Sequence, residues 1–317
     1  MKSLIENNLL ERHINFEKEH IHVLTALYGA TCQSKQKVHL EIAKSIELMK
    51  AAALIIDDFL DKSPKRNGIP SIYFERGSEE AVLTGEILKS SSLIAFVNNL
   101  NLLENVSFDK KINAIKLFEK TYKTICLGQL KDIELQKKKI GDNFSEEEYF
   151  EMIKKTSAVF VQFPVVLGAT LSDFNEKELL NLSEFGIKIG LAYQLRDDVL
   201  DVIGDQDYTG KIYSSDIRER KKRILLIHSL KNGSKDDTAR LETIYNKKDE
   251  ITFNEVNEII NIFKRTGSID YCILLIKKYC DGAIAHLSYV NNKKVVEQLK
   301  DIACLLTRFD DLPKNKD

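Results

Sequence analysis

The sequence contains few residues that break helices. Of its 317 residues only 14 are glycine and 4 are proline, whereas 43% are hydrophobic. No segment keeps the alternation of polar and apolar side chains that indicates a β-strand, and no linker rich in glycine, proline or serine divides the chain. We therefore predict an all-α fold in which residues 1–317 form a single domain.

The sequence also lacks an excess of one charge, a cysteine pattern and a long apolar run. The formal net charge of −1 gives no reason to expect nucleic acid as a partner. The five cysteines form no CxxC pair, and an odd number of scattered thiols suits a reducing cytosol. Charged residues interrupt the N-terminus where a secretory signal would lie. The longest apolar stretch, 158–171, is too short to span a bilayer. We expect a soluble, cytoplasmic protein.

The clearest signal in the chain is a cluster of carboxylates at the end of a predicted helix. An amphipathic pattern predicts this helix from about residue 37 to Asp61. Asp57 and Asp61 lie one turn apart on one face, and Asp58 lies about 100° round from Asp57. Ser-Pro and Asn-Gly pairs follow, so the carboxylates crowd toward a helix C-terminus, where the helix dipole is also negative. Such a group requires a cation, and a hard divalent ion with oxygen ligands is suitable.

The same DDxxD spacing recurs at Asp197, Asp198 and Asp201, again after apolar residues. A single motif of this kind is usually a solvated helix face, but two copies favour a function. They predict a bundle in which the two sets of carboxylates face each other across one end of a central cavity. We interpret them as ligands of a magnesium cluster that holds a diphosphate and assists its departure.

Further motifs follow in the order found in one enzyme family. They are Gly128-Gln129-x-x-Asp132, Lys155-Thr156, Phe185-Gly186, Gly190-Leu191-Ala192-Tyr193-Gln194 and Gly210-Lys211. With the two Asp motifs, they make the chain resemble the trans-isoprenyl diphosphate synthase (polyprenyl synthetase) family. The resemblance implies an isoprenoid-synthase-type bundle, a prenyltransferase with an allylic prenyl diphosphate as substrate, a homodimer, and roughly three Mg²⁺ ions with the bound diphosphate.

The resemblance also implies a role for each motif residue. Asp57, Asp61 and Asp197 would ligate Mg²⁺ directly, and Asp58, Asp198 and Asp201 would be partial or indirect ligands. The basic residues that would hold the diphosphate are Arg66, Lys155, Lys211 and Lys222. Thr156 and Gln194 would stabilise the developing carbocation with their oxygen dipoles, and Gln129 and Asp132 would support the wall beside the diphosphate.

Several of these residues have a simpler explanation. Lys155 and Lys211 could be ordinary surface lysines, and Arg66 could be solvated in its loop. Thr156 could bond back to a carbonyl of its own helix. Gln194 is harder to dismiss, because it lies three residues before Asp197 and projects to the same side.

The chain departs from the family where isopentenyl diphosphate, the second substrate, would bind. The family's GGKR loop is missing, the usual histidine seven residues before the first Asp is Lys50, and the second of two paired arginines is Asn67. Lys50 with His20 or His22 could form a replacement anion site.

A second departure lies after the second Asp motif, in a segment predicted to form a helix from 215 to 231. The family's G-K-x-T-L-P is replaced by Arg220-Lys221-Lys222-Arg223-Ile224-Leu225. This change weakens the assignment of Lys222. Arg223 could replace it as a phosphate clamp or be a surface residue.

These patterns predict a magnesium-dependent prenyltransferase with isopentenyl diphosphate as the default acceptor. A terpene synthase that uses the allylic diphosphate alone is the alternative, and a catalytically silent subunit is disfavoured by two complete Asp motifs. Ala52 and Ala53 occupy positions where short-chain family members have aromatic residues, with Met49 as a possible floor. They predict a substrate or product of C15 or longer, unless they serve only close helix packing.

Overall fold

The computed structural model describes residues 18–32, 36–66, 68–142, 144–204 and 214–308, and their side chains from Leu24 onward. The α-helices in chain order are α1 (Lys18–Cys32), α2 (Lys37–Asp61), α3 (Ile72–Arg76), α4 (Ser78–Asn101), α5 (Phe108–Lys137), α6 (Glu146–Ile153), α7 (Val159–Thr170), α8 (Glu176–Ile203), α9 (Ser215–Arg218), α10 (Ile224–Asn232), α11 (Lys235–Asn246), α12 (Phe253–Arg265), α13 (Ser268–His286) and α14 (Lys293–Thr307). A π-helical turn, Lys154–Ala158, joins α6 to α7, and a 3-10 turn, Leu287–Tyr289, follows α13. The all-α prediction is confirmed.

The helices enclose an apolar core that reaches the level of the acidic motifs. Helix α2 packs along α4, and α8 packs between α7 and α13. One large apolar cluster includes the buried side chains of Met49 and Phe118, and a second includes Val199 and Ile224. Met49 lies about two helical turns before Asp57, and Val199 directly follows Asp198. The carboxylates therefore lie where two helices emerge from the core.

A small hairpin follows α2 and was not anticipated by the prediction of a chain without strands. Lys62, with φ of 55°, ends the helix in the left-handed conformation. The two-residue strands β1 (Lys65–Arg66) and β2 (Ile69–Pro70) then pair antiparallel. Ser71 closes the hairpin by donating its hydroxyl to the Ser63 carbonyl at 2.5 Å. The hairpin turns the chain back toward the end of α2.

The π-helical turn is held between α5 and α8 by two close backbone approaches. A Cβ atom on Gly128 would lie 2.8 Å from the backbone nitrogen of Thr156, and one on Gly190 would lie 2.7 Å from the carbonyl oxygen of Ala158. Only glycine permits such approaches. These contacts fix the position of Lys154–Ala158 beside the two helices that carry the Gln-containing motifs.

The helix predicted from 215 to 231 is wrong, because the chain breaks in its middle. Helix α9 ends at Arg218 and α10 begins at Ile224. Between them Arg220 has φ of 57°, a left-handed conformation that cannot continue an α-helix. The break redirects the segment Lys221–Arg223. Elsewhere, none of the helices in the described part of the chain is long and apolar enough to cross a membrane.

Candidate active site

The first Asp motif is bound by an arginine from the hairpin. The Nη2 atom of Arg66 lies 2.9 Å from Oδ2 of Asp57 and 2.6 Å from Oδ1 of Asp58, and its Nε donates to the same Asp58 oxygen at 2.8 Å. Arg66 is therefore not a solvated loop residue. The hairpin brings it to the predicted site.

Helix α5 contributes the two residues of the Gln-x-x-Asp motif to the same site. Gln129 donates its Nε2 hydrogen to Oδ1 of Asp57. One turn further, Asp132 is buried, and its Oδ1 accepts no hydrogen bond from the described residues. These contacts agree with the predicted location of both residues at the wall beside the first motif.

In the second Asp motif, Asp198 accepts two side-chain hydrogen bonds, and one of its donors is itself held by a third. Its Oδ1 accepts from Nε2 of Gln194 at 2.8 Å, and its Oδ2 accepts from the Tyr149 hydroxyl at 2.6 Å. The Ser157 hydroxyl of the π-helical turn donates to Oε1 of Gln194 at 2.5 Å. Gln194 thus links the second Asp motif to the turn that carries Lys155 and Thr156.

The other two aspartates of the second motif have different surroundings. Asp201 is buried and accepts hydrogen bonds from the backbone nitrogens of Ser215 and Asp216 at 3.0 and 3.1 Å, and from the Ser215 hydroxyl at 2.7 Å. It therefore fixes the start of α9. Asp197 is half-buried on α8.

Two cations from the break between α9 and α10 connect the motifs. Lys221 donates its ammonium to Oδ2 of Asp61 and lies 3.9 Å from Oδ2 of Asp132. Arg223 lies 3.7 Å from Oδ1 of Asp132 and 4.0 Å from Oδ1 of Asp198. The first motif is thereby joined to the second through Asp132 and two cationic side chains.

Other predicted residues lie at the edge of this cluster or away from it. Lys155 is 35% exposed and pairs with Glu151 at 2.6 Å. The Thr156 hydroxyl donates back to the Met152 carbonyl at 3.2 Å. Lys222 donates to the carbonyl of Arg220 at 3.0 Å rather than to a carboxylate. Lys211 lies outside the described residues. Their roles toward a diphosphate stay predictions.

Sequence reasoning missed Lys221, Tyr149, Asp216 and Glu219. A signal existed for one of them, because Lys221 stands at the lysine of the family's G-K-x-T-L-P. Tyr149 gave no signal, since an aromatic residue in a short amphipathic helix reads as part of the core. Its hydroxyl is nevertheless the donor that reaches Asp198.

Burial and charge shift the pKa values of several groups in the cluster. Burial raises the pKa of Asp198 to about 7, against the lowering effect of Arg223. Burial likewise raises the pKa of Glu219 to about 8, although Lys221 lies close to it. Burial would lower the pKa of Lys221, yet the carboxylates of Asp61 and Asp132 hold it well above its ordinary value. The site therefore retains charged cations beside Asp198 and Glu219, whose carboxyl groups are costly to ionise.

The cluster contains more carboxylates than cations. Its acidic members are Asp57, Asp58, Asp61, Asp132, Asp198, Asp216 and Glu219, and their cationic partners are Arg66, Lys221 and Arg223. An excess of buried oxygen donors fits hard divalent cations. Among the described residues no three acidic, histidine or cysteine side chains already form a metal-binding group. Lys221 and Arg223 lie between these carboxylates.

The fold and the site define a helical-bundle synthase with one DDxxD motif near the end of α2 and a second near the end of α8. The chain belongs to the polyprenyl synthetase family, whose sequence profile matches residues 18–263. It is therefore a prenyltransferase, and the family predicted from its motifs is confirmed.

Individual relatives agree with this assignment. The short chain isoprenyl diphosphate synthase of Methanocaldococcus jannaschii is 35% identical over 235 residues, which are 73% of this chain and 67% of the relative. The geranylgeranyl diphosphate synthase of Saccharolobus solfataricus is 31% identical over 82% of this chain and 77% of its own. The crystal structure of geranylgeranyl pyrophosphate synthetase from Pyrococcus horikoshii Ot3 superposes with a TM-score of 0.81 at 28% identity, covering 94% of this chain and 88% of that one.

Proposed function

We propose that this prenyltransferase uses Mg²⁺ to ionise an allylic prenyl diphosphate and transfers the prenyl cation to isopentenyl diphosphate. The proposal rests on a series of contacts in which acidic and basic side chains alternate. The series runs from Asp61 through Lys221, Asp132 and Arg223 to Asp198. It brings the ends of α2 and α8 to one acidic site. A site of this charge can gather several positive ions around a diphosphate.

The carboxylates of both motifs would hold the metal. Asp57, Asp61 and Asp197 would be direct ligands, with Asp58, Asp198 and Asp201 as partial or indirect ones. Bound Mg²⁺, which the family typically uses, would neutralise the charge of the departing diphosphate. The donor set supports this, since every acidic group of the cluster offers oxygen and the cations present are too few to balance them.

The chain's own cations would bind the diphosphate and orient it. Arg66 and Lys221 already lie at the first motif, and each can turn from its aspartate to a phosphate oxygen once a metal ion takes the aspartate. Lys155, Lys211 and Lys222 would contribute from the surrounding segments. Thr156 and Gln194 lie on the π-helical turn and on α8, where their oxygens would face the carbocation.

The length of the prenyl chain would depend on the residues below Asp57. Ala52 is fully buried in a small cluster with Ile55 and Leu88, which supports the close-packing explanation for that alanine. Ala53 is only half-buried and packs on the other side, toward the second core cluster. We infer that the prenyl chain would run beside Ala53 toward Met49, one turn deeper on α2, and that the site accepts a substrate or product of C15 or longer. Relatives named geranylgeranyl and geranylfarnesyl diphosphate synthases support this size class.

A terpene synthase remains the second candidate, and a specific observation favours it. The departures from the family concentrate in the subsite for isopentenyl diphosphate, where Lys50 and Asn67 replace a histidine and an arginine. An enzyme that binds isopentenyl diphosphate weakly would leave the prenyl cation to react with water or with a double bond of the prenyl chain itself.

One experiment separates the candidates. The purified protein is incubated with Mg²⁺ and geranyl, farnesyl or geranylgeranyl diphosphate, with and without isopentenyl diphosphate, and the products are identified by mass spectrometry. Longer diphosphates that appear only with isopentenyl diphosphate support the first proposal. Hydrocarbons or alcohols that appear without it support the second. The absence of turnover with every allylic substrate would contradict both.

We also propose that the chain forms a homodimer through α4 and α5. Large apolar side chains are exposed on both helices, namely Leu83, Ile87 and Ile94 on α4 and Leu127 and Leu130 on α5. Leu83 and Ile87 lie one turn apart, as do Leu127 and Leu130, so each pair shares a helix face. Exposed apolar surface of this kind on neighbouring helices is typical of an interface with a second copy.

A further inference from the structure

Arg223 is the cation that the family pattern does not explain. The family motif has a threonine at this position and a glycine at the position of Arg220. Arg220 has a left-handed backbone, with φ of 57°, although this conformation is unfavourable for a residue with a side chain. The turn, which a glycine would make more easily, delivers Arg223 into the acidic site with only 13% of its side chain exposed.

The guanidinium of Arg223 lies where carboxylates from three helices meet. Its Nε donates to Oδ2 of Asp216 on α9 at 3.2 Å, and its Nη2 donates to Oδ1 of the same residue at 3.4 Å. Its Nη1 lies 3.7 Å from Oδ1 of Asp132 on α5, and its Nε lies 4.0 Å from Oδ1 of Asp198 on α8. The three carboxylates therefore share one guanidinium.

Apart from Arg223, Asp132 has the Lys221 ammonium 3.9 Å from its Oδ2. Asp198 has no exposed side-chain surface, and the partners already described for it, Tyr149 and Gln194, are neutral. Oδ1 of Asp132 accepts no hydrogen bond from the described residues. With a neutral side chain at position 223, the three carboxylates would lose a positive charge that they share in a site largely shielded from water. Either protons or a cation would then compensate for the lost charge, and three oxygen donors favour a divalent cation.

We propose that Arg223 is a resident cation that takes the place of a divalent metal ion among Asp132, Asp198 and Asp216. The second Asp motif then needs fewer metal ions than it would with the threonine of the family pattern. The inference rests on the proposed metal-dependent function, because it concerns how many ions that site accepts. It makes Arg223 a determinant of the metal requirement rather than a surface residue.

Mn²⁺ binding tests the proposal without relying on catalysis. Bound and free Mn²⁺ are measured by electron paramagnetic resonance during titration of the protein, alone and with inorganic pyrophosphate. Arg223→Thr and Arg223→Gln are expected to bind one additional Mn²⁺ per chain, or to bind Mn²⁺ roughly tenfold more tightly, than the unaltered protein. Arg223→Lys keeps the charge and is expected to behave like the unaltered protein. Arg240→Gln is the matched control, since this arginine pairs with Glu258 on α12 and not with the cluster.

Thermal unfolding provides a second readout. Without metal, Arg223→Thr and Arg223→Gln are expected to unfold at a lower temperature, and Mn²⁺ is expected to raise that temperature more in them than in the unaltered protein. Equal stoichiometry and affinity in all variants would overturn the proposal, as would variants that stay unfolded at every Mn²⁺ concentration. Failure of the unaltered protein to bind Mn²⁺, with or without pyrophosphate, would instead overturn both this proposal and the metal-dependent function.

Discussion

Lys221 donates its ammonium to the carboxylate of Asp61, the last residue of α2, although 160 residues separate the two in the chain. Both side chains are largely buried, with exposed fractions of 6% and 10%. Lys221 also lies 3.3 Å from Glu219 and 3.9 Å from Asp132. In the protein without substrate, this lysine therefore counters the charge that the first Asp motif would otherwise leave unbalanced.

Replacement of Lys221 by methionine is expected to destabilise the metal-free protein by about 3 kcal/mol, because it leaves a buried carboxylate without its partner. Urea unfolding followed by circular dichroism measures this loss. Lys247→Met is the matched control, since Lys247 pairs with Glu255 in a more exposed ion pair and its loss should cost at most about 1 kcal/mol. Equal losses in the two variants would contradict the role assigned to Lys221.

Local patterns made much of this site predictable. Arg66 lies only nine residues after Asp57. The Ser-Pro pair between them and the Asn-Gly pair directly after Arg66 indicate a turn that brings the two together. The bounds of α2 were also predictable, because amphipathic periodicity and a breaker pair define both ends. Both Asp motifs are likewise readable from their spacing, whereas the Gln-x-x-Asp motif was recognised through the family resemblance.

The remaining parts depend on long-range geometry that spacing does not reveal. The break between α9 and α10 was missed because Arg220 stands where a glycine would have signalled a left-handed turn. Because the break was not predicted, the contact between Lys221 and Asp61 was not predicted either. The π-helical turn was missed as well, since its extra residue is accommodated by Gly128 and Gly190 on other helices.

Removal of the Asp57 carboxylate is expected to reduce turnover of an allylic diphosphate by about two to three orders of magnitude. Asp57 contacts both Arg66 and Gln129, and Asp57→Ala would remove the group that organises them and that would ligate Mg²⁺. Steady-state kinetics with farnesyl diphosphate measure the effect. Asp173→Ala, at a fully exposed aspartate, should keep the activity of the unaltered protein. A retained activity in Asp57→Ala would show that the first motif is not the metal site.

Enlarging Ala53 is expected to shorten the product. Ala53 is half-buried on the side of α2 that faces the second core cluster, and a phenylalanine there would narrow the space below Asp57. Mass spectrometry of the products from Ala53→Phe and from the size-conserving Ala53→Ser provides the comparison. The same product distribution in both variants would favour the view that this alanine serves only helix packing.

Replacing exposed apolar residues of α4 with charged ones is expected to prevent dimerisation. Leu83 is 61% exposed and Ile87 is 46% exposed, and they lie one turn apart. The double replacement Leu83→Glu, Ile87→Glu places two carboxylates in an apolar contact, where their burial would be costly. Light scattering coupled to gel filtration should give the mass of one chain for this variant and of two for the unaltered protein. Leu274→Glu, at an exposed leucine of α13, should leave the dimer intact. A single-chain mass for the unaltered protein would contradict the proposed assembly.

Stability is expected to fall as the pH decreases, in part because of His39. This histidine is buried at the start of α2, and its Nδ1 lies 2.6 Å from the Tyr28 hydroxyl. Burial lowers the pKa of His39 in the folded protein below its ordinary value of 6.5. Below that value the unfolded chain binds a proton that the folded protein resists, so the free energy of unfolding decreases as the pH falls. Urea midpoints at about pH 7 and pH 5 measure this decrease, which should be smaller in His39→Gln. His286→Gln, at a histidine that contacts Asn181 on α8, should retain the full decrease. If His39→Gln and the unaltered protein lose stability equally over this range, His39 does not contribute to it.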